Sequence, residues 1–352
     1  MSSPNFLLYG ANGYTGALIA RLAVQRGLRP ILAGRNPNKV EPLSIELGLE
    51  YRGFTLEDRA TVDEALADVA VVLHCAGPFS QTSQPMVAGC LRTKTHYLDI
   101  TGEVAVFEAI AAQDAEAKAA GVMLLPGVGF DVVPSDCLAA HLKARLPSAT
   151  WLALGFQAVG RMSRGTATTM VEAQHRGGLV RRGGVLTPVP VAWKTRIIDF
   201  GQGALEATTI PWGDVSTAFY STGILDIEVY AAFPASTRRA MVASRYLSWL
   251  LGLPAVQSFQ KRLIQNQPPG PTATERAQGR SLLWGEVKDD SGKEVVSRLQ
   301  GPEGYTLTAM TATAIVEKVL AGQVAVGFQT PSLVYGADFI LEIEGVMRED
   351  LD

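Results

Sequence analysis

The stretch Phe6-Leu-Leu-Tyr9-Gly10-Ala11-Asn12-Gly13-Tyr14-Thr15-Gly16-Ala17 decides the fold. Its apolar start reads as a strand and its glycines as a tight turn. Leu18, Ile19, Leu22 and Ala23 then mark the buried face of a helix ending near Gly27. A strand that runs through a glycine turn into a helix aims the helix N–H groups and positive dipole end at the turn. That is the seat of a dinucleotide pyrophosphate. Gly10 allows the tight turn, Gly13 a close approach of backbone to phosphate, and Gly16 the packing of helix on strand. The spacing is G-x-x-G-x-x-G rather than G-x-G-x-x-G, and a plain strand-helix turn is the alternative. Placement between first strand and first helix favours the cofactor reading. Gly10, Asn12, Gly13, Tyr14, Thr15 and Gly16 are its candidate contacts.

Working outward, strand-like segments alternate with helical ones. Strands are expected at Pro30–Arg35, Glu50–Phe54, Val69–Gly77, Thr95–Ile100 and Gly121–Leu125. Asn36-Pro37 starts the second helix, asparagine as cap and proline in the first turn. Helices are expected over Thr61–Leu66, Thr82–Leu91 and Val104–Ala119. The run Val69–Gly77 is continuously apolar, as a strand buried on both faces requires. Such alternation predicts an α/β fold whose N-terminal part is a doubly wound parallel sheet of the Rossmann type.

The end of the second strand selects the cofactor. An acidic residue there binds the ribose 2′-hydroxyl of NAD. This chain has Gly34-Arg35-Asn36 instead, and a guanidinium suits the 2′-phosphate of NADP. A solvated strand-end charge is the alternative for Arg35. Ala76-Gly77-Pro78 follows the fourth strand at the carboxyl edge of the sheet, where small residues let a nicotinamide lie against backbone. A tight turn explains the same residues.

Composition bounds the remaining classes. The 352 residues suffice for two domains, and a formal net charge of −3 gives no footprint for nucleic acid. Cys75, Cys90 and Cys137 sit apart in apolar stretches, as reduced core residues of a cytoplasmic protein do. The histidines lack metal-ligand spacing, so no metal is expected. The chain reaches a strand almost at once, which leaves no room for a signal peptide. Tyr246–Val256 is apolar but short and broken by Gly252 and Pro254. Arg238, Arg239, Arg245, Lys261 and Arg262 flank it. A buried or oligomer-facing helix and an interfacial membrane helix both fit.

Beyond Pro147 the pattern changes. Strands are expected over Ala149–Val159, Lys194–Phe200, Ala204–Ile210 and Leu225–Phe233, with a hairpin of Ser281–Lys288 and Lys293–Leu299. Helices are expected over Gly165–Arg176, Thr237–Gln265 and Tyr305–Leu320. The domains read as 1–147 for the dinucleotide, 148–329 as a mixed α+β domain for substrate and oligomerisation, and 330–352 as a terminal segment.

Four motifs together carry a resemblance. They are Gly10-Ala-Asn-Gly-Tyr-Thr-Gly16, Cys75-Ala-Gly-Pro-Phe79 with Gln84-Pro-Met-Val87, Thr95-His-Tyr-Leu-Asp-Ile-Thr-Gly-Glu103, and Gly129-Phe-Asp-Val-Val-Pro-Ser-Asp136. The chain resembles the saccharopine dehydrogenase-like oxidoreductases, and among them the trans-acting enoyl reductase branch. The likeness is specific through about residue 146 and continues weakly in Arg164–Thr169, Gly301–Tyr305 and Gly327–Pro331. Ser83 stands where the family often has glycine. The resemblance implies an NADP-binding domain, a second α+β domain, a cleft between them, and a final segment from Thr330 that is helical and returns to the first domain. It does not imply saccharopine as substrate, since the loops lack the basic residues that clamp a dicarboxylic amino acid. Met162, Met170, Trp193 and Trp212 suit a lipid-like substrate, or a core.

Reduction of a C=C or C=N bond needs a proton donor beside the hydride. Tyr97, Asp99, Thr101, Glu103, Asp131, Ser135 and Asp136 follow the last two strands. Asp131 and Ser135 are the catalytic candidates, and a helix N-terminus is the competing reading for Ser135 and Asp136. Asp99 and Glu103 read as caps of the helix from Val104. No tyrosine is followed four residues later by lysine, which sets aside the short-chain dehydrogenase acid. The expected function is an NADPH-dependent reductase of a small or lipid-like substrate, as a homodimer. The alternative is a non-catalytic NADP sensor or scaffold, including one associated with a lipid surface.

Overall fold

The structure, a computed structural model, describes residues 6–159 and 161–351; the segment before Phe6 on which the signal-peptide expectation rests lies outside them. Two compact units emerge, one of 1–133 with 305–334, the other of 134–304 with 335–352.

The first unit starts with β1 (Phe6–Tyr9), α1 (Tyr14–Gln25), β2 (Ile31–Gly34), α2 (Pro37–Leu47), β3 (Tyr51–Gly53) and α3 (Arg59–Leu66). It continues with β4 (Val71–His74), α4 (Phe79–Thr93), β5 (His96–Asp99), α5 (Val104–Ala111), α6 (Asp114–Ala120) and β6 (Met123–Leu125). Every residue of β1, β2, β4 and β6 is buried, which explains their unbroken apolar runs. The buried residues of α1 are Gly16, Ile19, Ala20 and Ala23, one helical stripe turned to the sheet. Asn36 caps α2 by accepting from Asn38 N at 3.1 Å, with Pro37 in the first turn. The single helix expected over Val104–Ala119 is two, since the turn at Ala112–Gln113 interrupts it.

The second unit carries α7 (Val133–Arg145), β7 (Trp151–Val159), α8 (Arg164–Ala173), β8 (Gly178–Arg182), β9 (Val185–Val189), β10 (Thr195–Asp199) and β11 (Ala204–Thr209). After these come α9 (Asp214–Thr222), β12 (Asp226–Ala232), α10 (Ala235–Ser244), α11 (Ser248–Leu251), α12 (Pro254–Gln265), α13 (Ala273–Gln278), β13 (Arg280–Lys288) and β14 (Glu294–Pro302). The helix expected over Thr237–Gln265 is broken at Gly252–Leu253, and Pro254 opens α12. Tyr246 and Trp249, for which burial was one expectation, are exposed.

The chain then returns to the first unit with α14 (Gly304–Leu320), β15 (Gly327–Phe328) and most of α15 (Pro331–Tyr335), and ends in the second with β16 (Met347–Leu351). The first sheet is parallel throughout in the order β15-β6-β5-β4-β1-β2-β3. Its seventh strand, β15, pairs Gly327 and Phe328 with Met123 and Leu124, so the return happens from Tyr305 and not from residue 330. Likewise α7 groups with the second unit rather than ending the first. Its Leu138 and Leu142 pack on Gly285 of β13, where a Cβ would sit 2.5 Å from Leu142 Cδ1. The segment expected to be helical ends as β16, paired antiparallel with β14.

The second sheet runs β10-β11-β12-β7-β13-β14-β16, with β8 and β9 attached beside β12. It is mixed, β7 and β12 being parallel. Its core joins Ala153, Ile198, Phe200, Ala207, Tyr230, Leu282 and Trp284. Two carboxylates are buried in it. Glu228 meets Arg182 at 3.1 Å and Lys194 at 2.5 Å, and Glu286 meets Arg196 and Lys288. Buried charges persist only when paired in this way.

Candidate functional site

In the first sheet β1 lies between β2 and β4, and the strand order reverses there. Ligands of doubly wound sheets bind at that switch point, outside the carboxyl ends of the strands. The loops after β1 and β4 flank it. Gly10 has φ +84°, and a Cβ on it would lie 2.8 Å from Ala76 N and from Cys75 C. The two loops therefore touch backbone to backbone, which only glycine permits. A Cβ on Gly16 would lie 2.4 Å from Gly10 O, so α1 starts pressed against the turn.

Gly13 occupies the cap position of α1, which has no side-chain cap and no acid in its first turn. The neighbouring helices differ. Asn36 caps α2, and Asp58 caps α3 by accepting from Ala60 N at 3.0 Å. The amino end of α1 thus offers a helix dipole without an anion of its own, in a cradle that a Cβ would fill. A pyrophosphate fits it. Asn12 and Gly13 are exposed; Tyr14 and Thr15 are half-buried. The Tyr14 ring meets Tyr305 edge-on with centroids 5.1 Å apart. Asn12 Oδ1 is 3.0 Å from where a Gly34 Cβ would be, so Asn12 lies on the end of β2. Arg35 follows, exposed beside that end.

The loop Ala76-Gly77-Pro78 is held from below. Thr82 donates its hydroxyl to Ala76 O at 2.7 Å, and His74 Nε2 is 2.9 Å from Thr82 Oγ1. Because threonine has one proton to give, His74 donates from Nε2. Burial pushes the His74 imidazole down to about 3, so the ring is neutral. It packs among Tyr9, Phe79 and Tyr97. Nothing in the sequence reading found this support.

The loops after β5 and β6 complete the edge. Asp99 is fully buried and accepts from Tyr97 OH at 2.7 Å, Thr101 N at 3.0 Å and Gly127 N at 2.8 Å. Burial raises its carboxyl to about 6 against the pull of these bonds. It ties two loops together and does not cap α5. Glu103 stands at the cap position of α5 yet makes no cap there. Its carboxylate instead accepts from Phe79 N at 2.8 Å and Ser80 N at 3.1 Å, closing the amino end of α4. The expectation for both residues is corrected by adjacency. Parallel strands β4 and β5 place their following loops side by side, so the nearest open helix end belongs to α4.

Asp131 lies against the loop after β5, where a Cβ on Gly102 would be 2.6 Å from Asp131 Oδ2. Burial pushes this carboxyl up to about 7. Ser135 is buried in the first turn of α7, in the second unit, with Asp136 as the acid of that turn. Met162 and Met170 are exposed, Trp212 packs on Phe156 with centroids 4.5 Å apart, and Trp193 has Arg182 and Lys194 over its ring. Among the described residues no group of histidine, cysteine, aspartate or glutamate could hold a metal ion.

Residues 6–125 match the family model of the saccharopine dehydrogenase NADP binding domain. That stretch is similar to an NADP-binding domain over the whole first run from β1 to β6. Its relatives include a trans-acting enoyl reductase of Mycobacterium ulcerans, 32% identical over 147 residues, 40% of this chain and 35% of that protein. Another, of Mycobacterium leprae, is 33% identical over 150 residues, 40% of this chain and 36% of that protein. The chain thus spans about a third of the length of the curated relatives it matches. Apo saccharopine dehydrogenase (L-Glu forming) from Saccharomyces cerevisiae shares the fold, with a TM-score of 0.68 over 99% of this chain and 100% of that one at 13% identity. The glycine turn, Asn12, Arg35 and the Ala76–Pro78 loop all lie within the matched residues.

Proposed function

We propose that this chain is an NADPH-dependent reductase of a C=C (enoyl) or C=N bond. The observation that carries the reading is the uncapped amino end of α1 behind Gly10, with Arg35 beside it at the end of β2. Relatives named trans-acting enoyl reductase favour the alkene. Bound NADPH supplies a hydride. The chain does the rest. Gly10, Gly13 and Gly16 bring backbone N–H groups to the pyrophosphate, Arg35 takes the 2′-phosphate, and the Ala76–Pro78 loop gives the nicotinamide half a wall of backbone.

The reduced substrate must also gain a proton. Asp131 suits that role, because a carboxyl pushed to about 7 still carries its proton in much of a neutral population. Ser135 is the second candidate.

Purified protein should quench or shift NADPH fluorescence on binding, and NADH should bind more weakly. It should then oxidise NADPH with an α,β-unsaturated thioester or an imine from a small panel. Failure to bind NADPH defeats the proposal. Binding without turnover across the panel, unchanged in Asp131→Asn and Ser135→Ala, would instead favour a non-catalytic NADP sensor.

A further inference from the structure

The α10 to α12 segment of the second unit shows large apolar side chains to solvent. Tyr246 is 81% exposed, Trp249 70%, Phe259 63% and Leu263 52%, with Val242, Leu247 and Leu253 also exposed. Isolated exposed hydrophobics are ordinary, but a group within one short segment is not. On α12 the two sides differ. Gln260 bonds to Gln174 at the end of α8 and Lys261 to Glu172 within it, while Ile264 is buried. Phe259 and Leu263, four residues apart, share the other side.

Charge accompanies the apolar face. Between Glu228 and Glu275 the chain has no acidic residue, although it carries Arg238, Arg239, Arg245, Lys261 and Arg262. Arg238 pairs with Glu206, Lys261 with Glu172, and Arg245 donates to the Val191 and Ala192 carbonyls. Arg239 and Arg262 are exposed. A second copy of the chain is a poor occupant. A two-fold interface sets a patch against itself, which would bring arginine to arginine with no carboxylate in the segment to answer it. An anionic bilayer interface answers both features. It buries tryptophan, tyrosine and phenylalanine at headgroup depth, and it attracts cations from the rim.

We propose that the surface of α10, α11 and α12 docks on an anionic lipid bilayer, lying in the interface without crossing it. No described helix is long and apolar enough to cross a membrane. The test is flotation of the full-length protein with vesicles of phosphatidylcholine alone and of phosphatidylcholine and phosphatidylglycerol in equal parts. The wild type is expected to float with the mixed vesicles, to stay behind with phosphatidylcholine, and to be released by high salt. Trp249→Ser with Phe259→Ser should reduce vesicle binding about tenfold or more. Arg239→Glu with Arg262→Glu should do the same while leaving every apolar side chain in place. All of these are exposed positions, so NADPH binding and the circular dichroism spectrum should be unchanged. The proposal is overturned if the wild type does not float with the mixed vesicles, or if both variants float as it does. It is equally overturned if the variants turn a dimer into a monomer in sedimentation with no vesicle binding by the wild type, which would give the surface to a second copy.

Discussion

The amino ends of α1 and α4 stand at the same carboxyl edge of one parallel sheet, on either side of the switch point, and they are finished in opposite ways. The first has glycine at its cap, no side-chain bond and no acid in its first turn. The second is plugged by Glu103, whose two carboxylate oxygens accept from Phe79 N and Ser80 N. Equal backbone chemistry thus becomes two different devices. One helix dipole is left for a ligand's anion, and the other is neutralised internally to anchor the loop after β5. An anion at this edge meets one helix end without a side-chain cap and one closed by a carboxylate, which favours α1 as the place for the pyrophosphate in the proposed function.

The harshest way to break this contrast is to fill the open end. Gly10→Val puts a β-branched side chain at φ +84° with its Cβ 2.8 Å from Ala76 N. Positive φ alone costs about 1–3 kcal/mol, and a backbone clash cannot be relieved by a rotamer change. NADPH binding should fall beyond detection in a fluorescence titration, with a lowered melting temperature. Retained affinity would remove the α1 turn from the cofactor site. Arg35→Ala comes next. Loss of a charge-assisted bond to phosphate is worth about 1.5–3 kcal/mol, or roughly ten- to a hundredfold in Kd. The loss should appear with NADPH and be nearly absent with NADH. Equal losses for both would make Arg35 a general electrostatic contact.

Much of this edge was legible in the sequence, for a reason particular to it. A glycine turn between strand and helix is a local pattern, and so is Asn36-Pro37 at the start of α2. Other features depend on neighbours distant in the chain. Glu103 looked like a cap for its own helix because the reading was local. In a parallel sheet of consecutive strands, the loop after β5 lies beside the loop after β4, and that adjacency could have pointed Glu103 at α4. His74 and Thr82 are eight residues apart across a loop whose fold they hold, and neither has a signature. In the second unit the hairpin of β8 and β9 was missed although Gly183-Gly184, both with positive φ, is a turn signal. Asp131 and Ser135 are near in sequence yet fall in different compact units, since α7 begins between them.

Asp131 probes the same edge by pH. Its carboxyl rises from 3.8 to about 7 on burial, so the folded state holds this proton more tightly than the unfolded one. The stability that follows is full below pH 3.8 and is lost as pH climbs to 7. Asp131→Asn, which keeps the shape without the charge, should therefore show a gain in stability over the wild type that grows across this window, by up to about 4 kcal/mol at its upper end. Urea unfolding at pH 4, 5.5 and 7.5 measures it. In turnover, kcat/KM of the wild type should decline above pH 7, and Asp131→Asn should lose both rate and that limb of the profile. A variant with full rate would leave Asp131 a structural partner of Gly102.

The smallest expected effect is the most discriminating. Glu103→Ala opens the amino end of α4, leaving Phe79 N and Ser80 N without their carboxylate. The loss resembles removal of an N-cap with a charge–dipole contribution, about 1–2 kcal/mol in urea unfolding; Glu103→Gln, which keeps an oxygen acceptor, should lose about half as much. Because Glu103 serves α4 and the proposed anion site is at α1, NADPH affinity should change less than about threefold in either variant. A much larger drop in affinity at unchanged stability would mean that Glu103 takes part in holding the cofactor, and that the two helix ends work as one site. If instead the alanine variant gains an inorganic sulfate site that leaves NADPH binding intact, the opened α4 end has become what the α1 end is by sequence. The carboxylate would then be the whole difference between them.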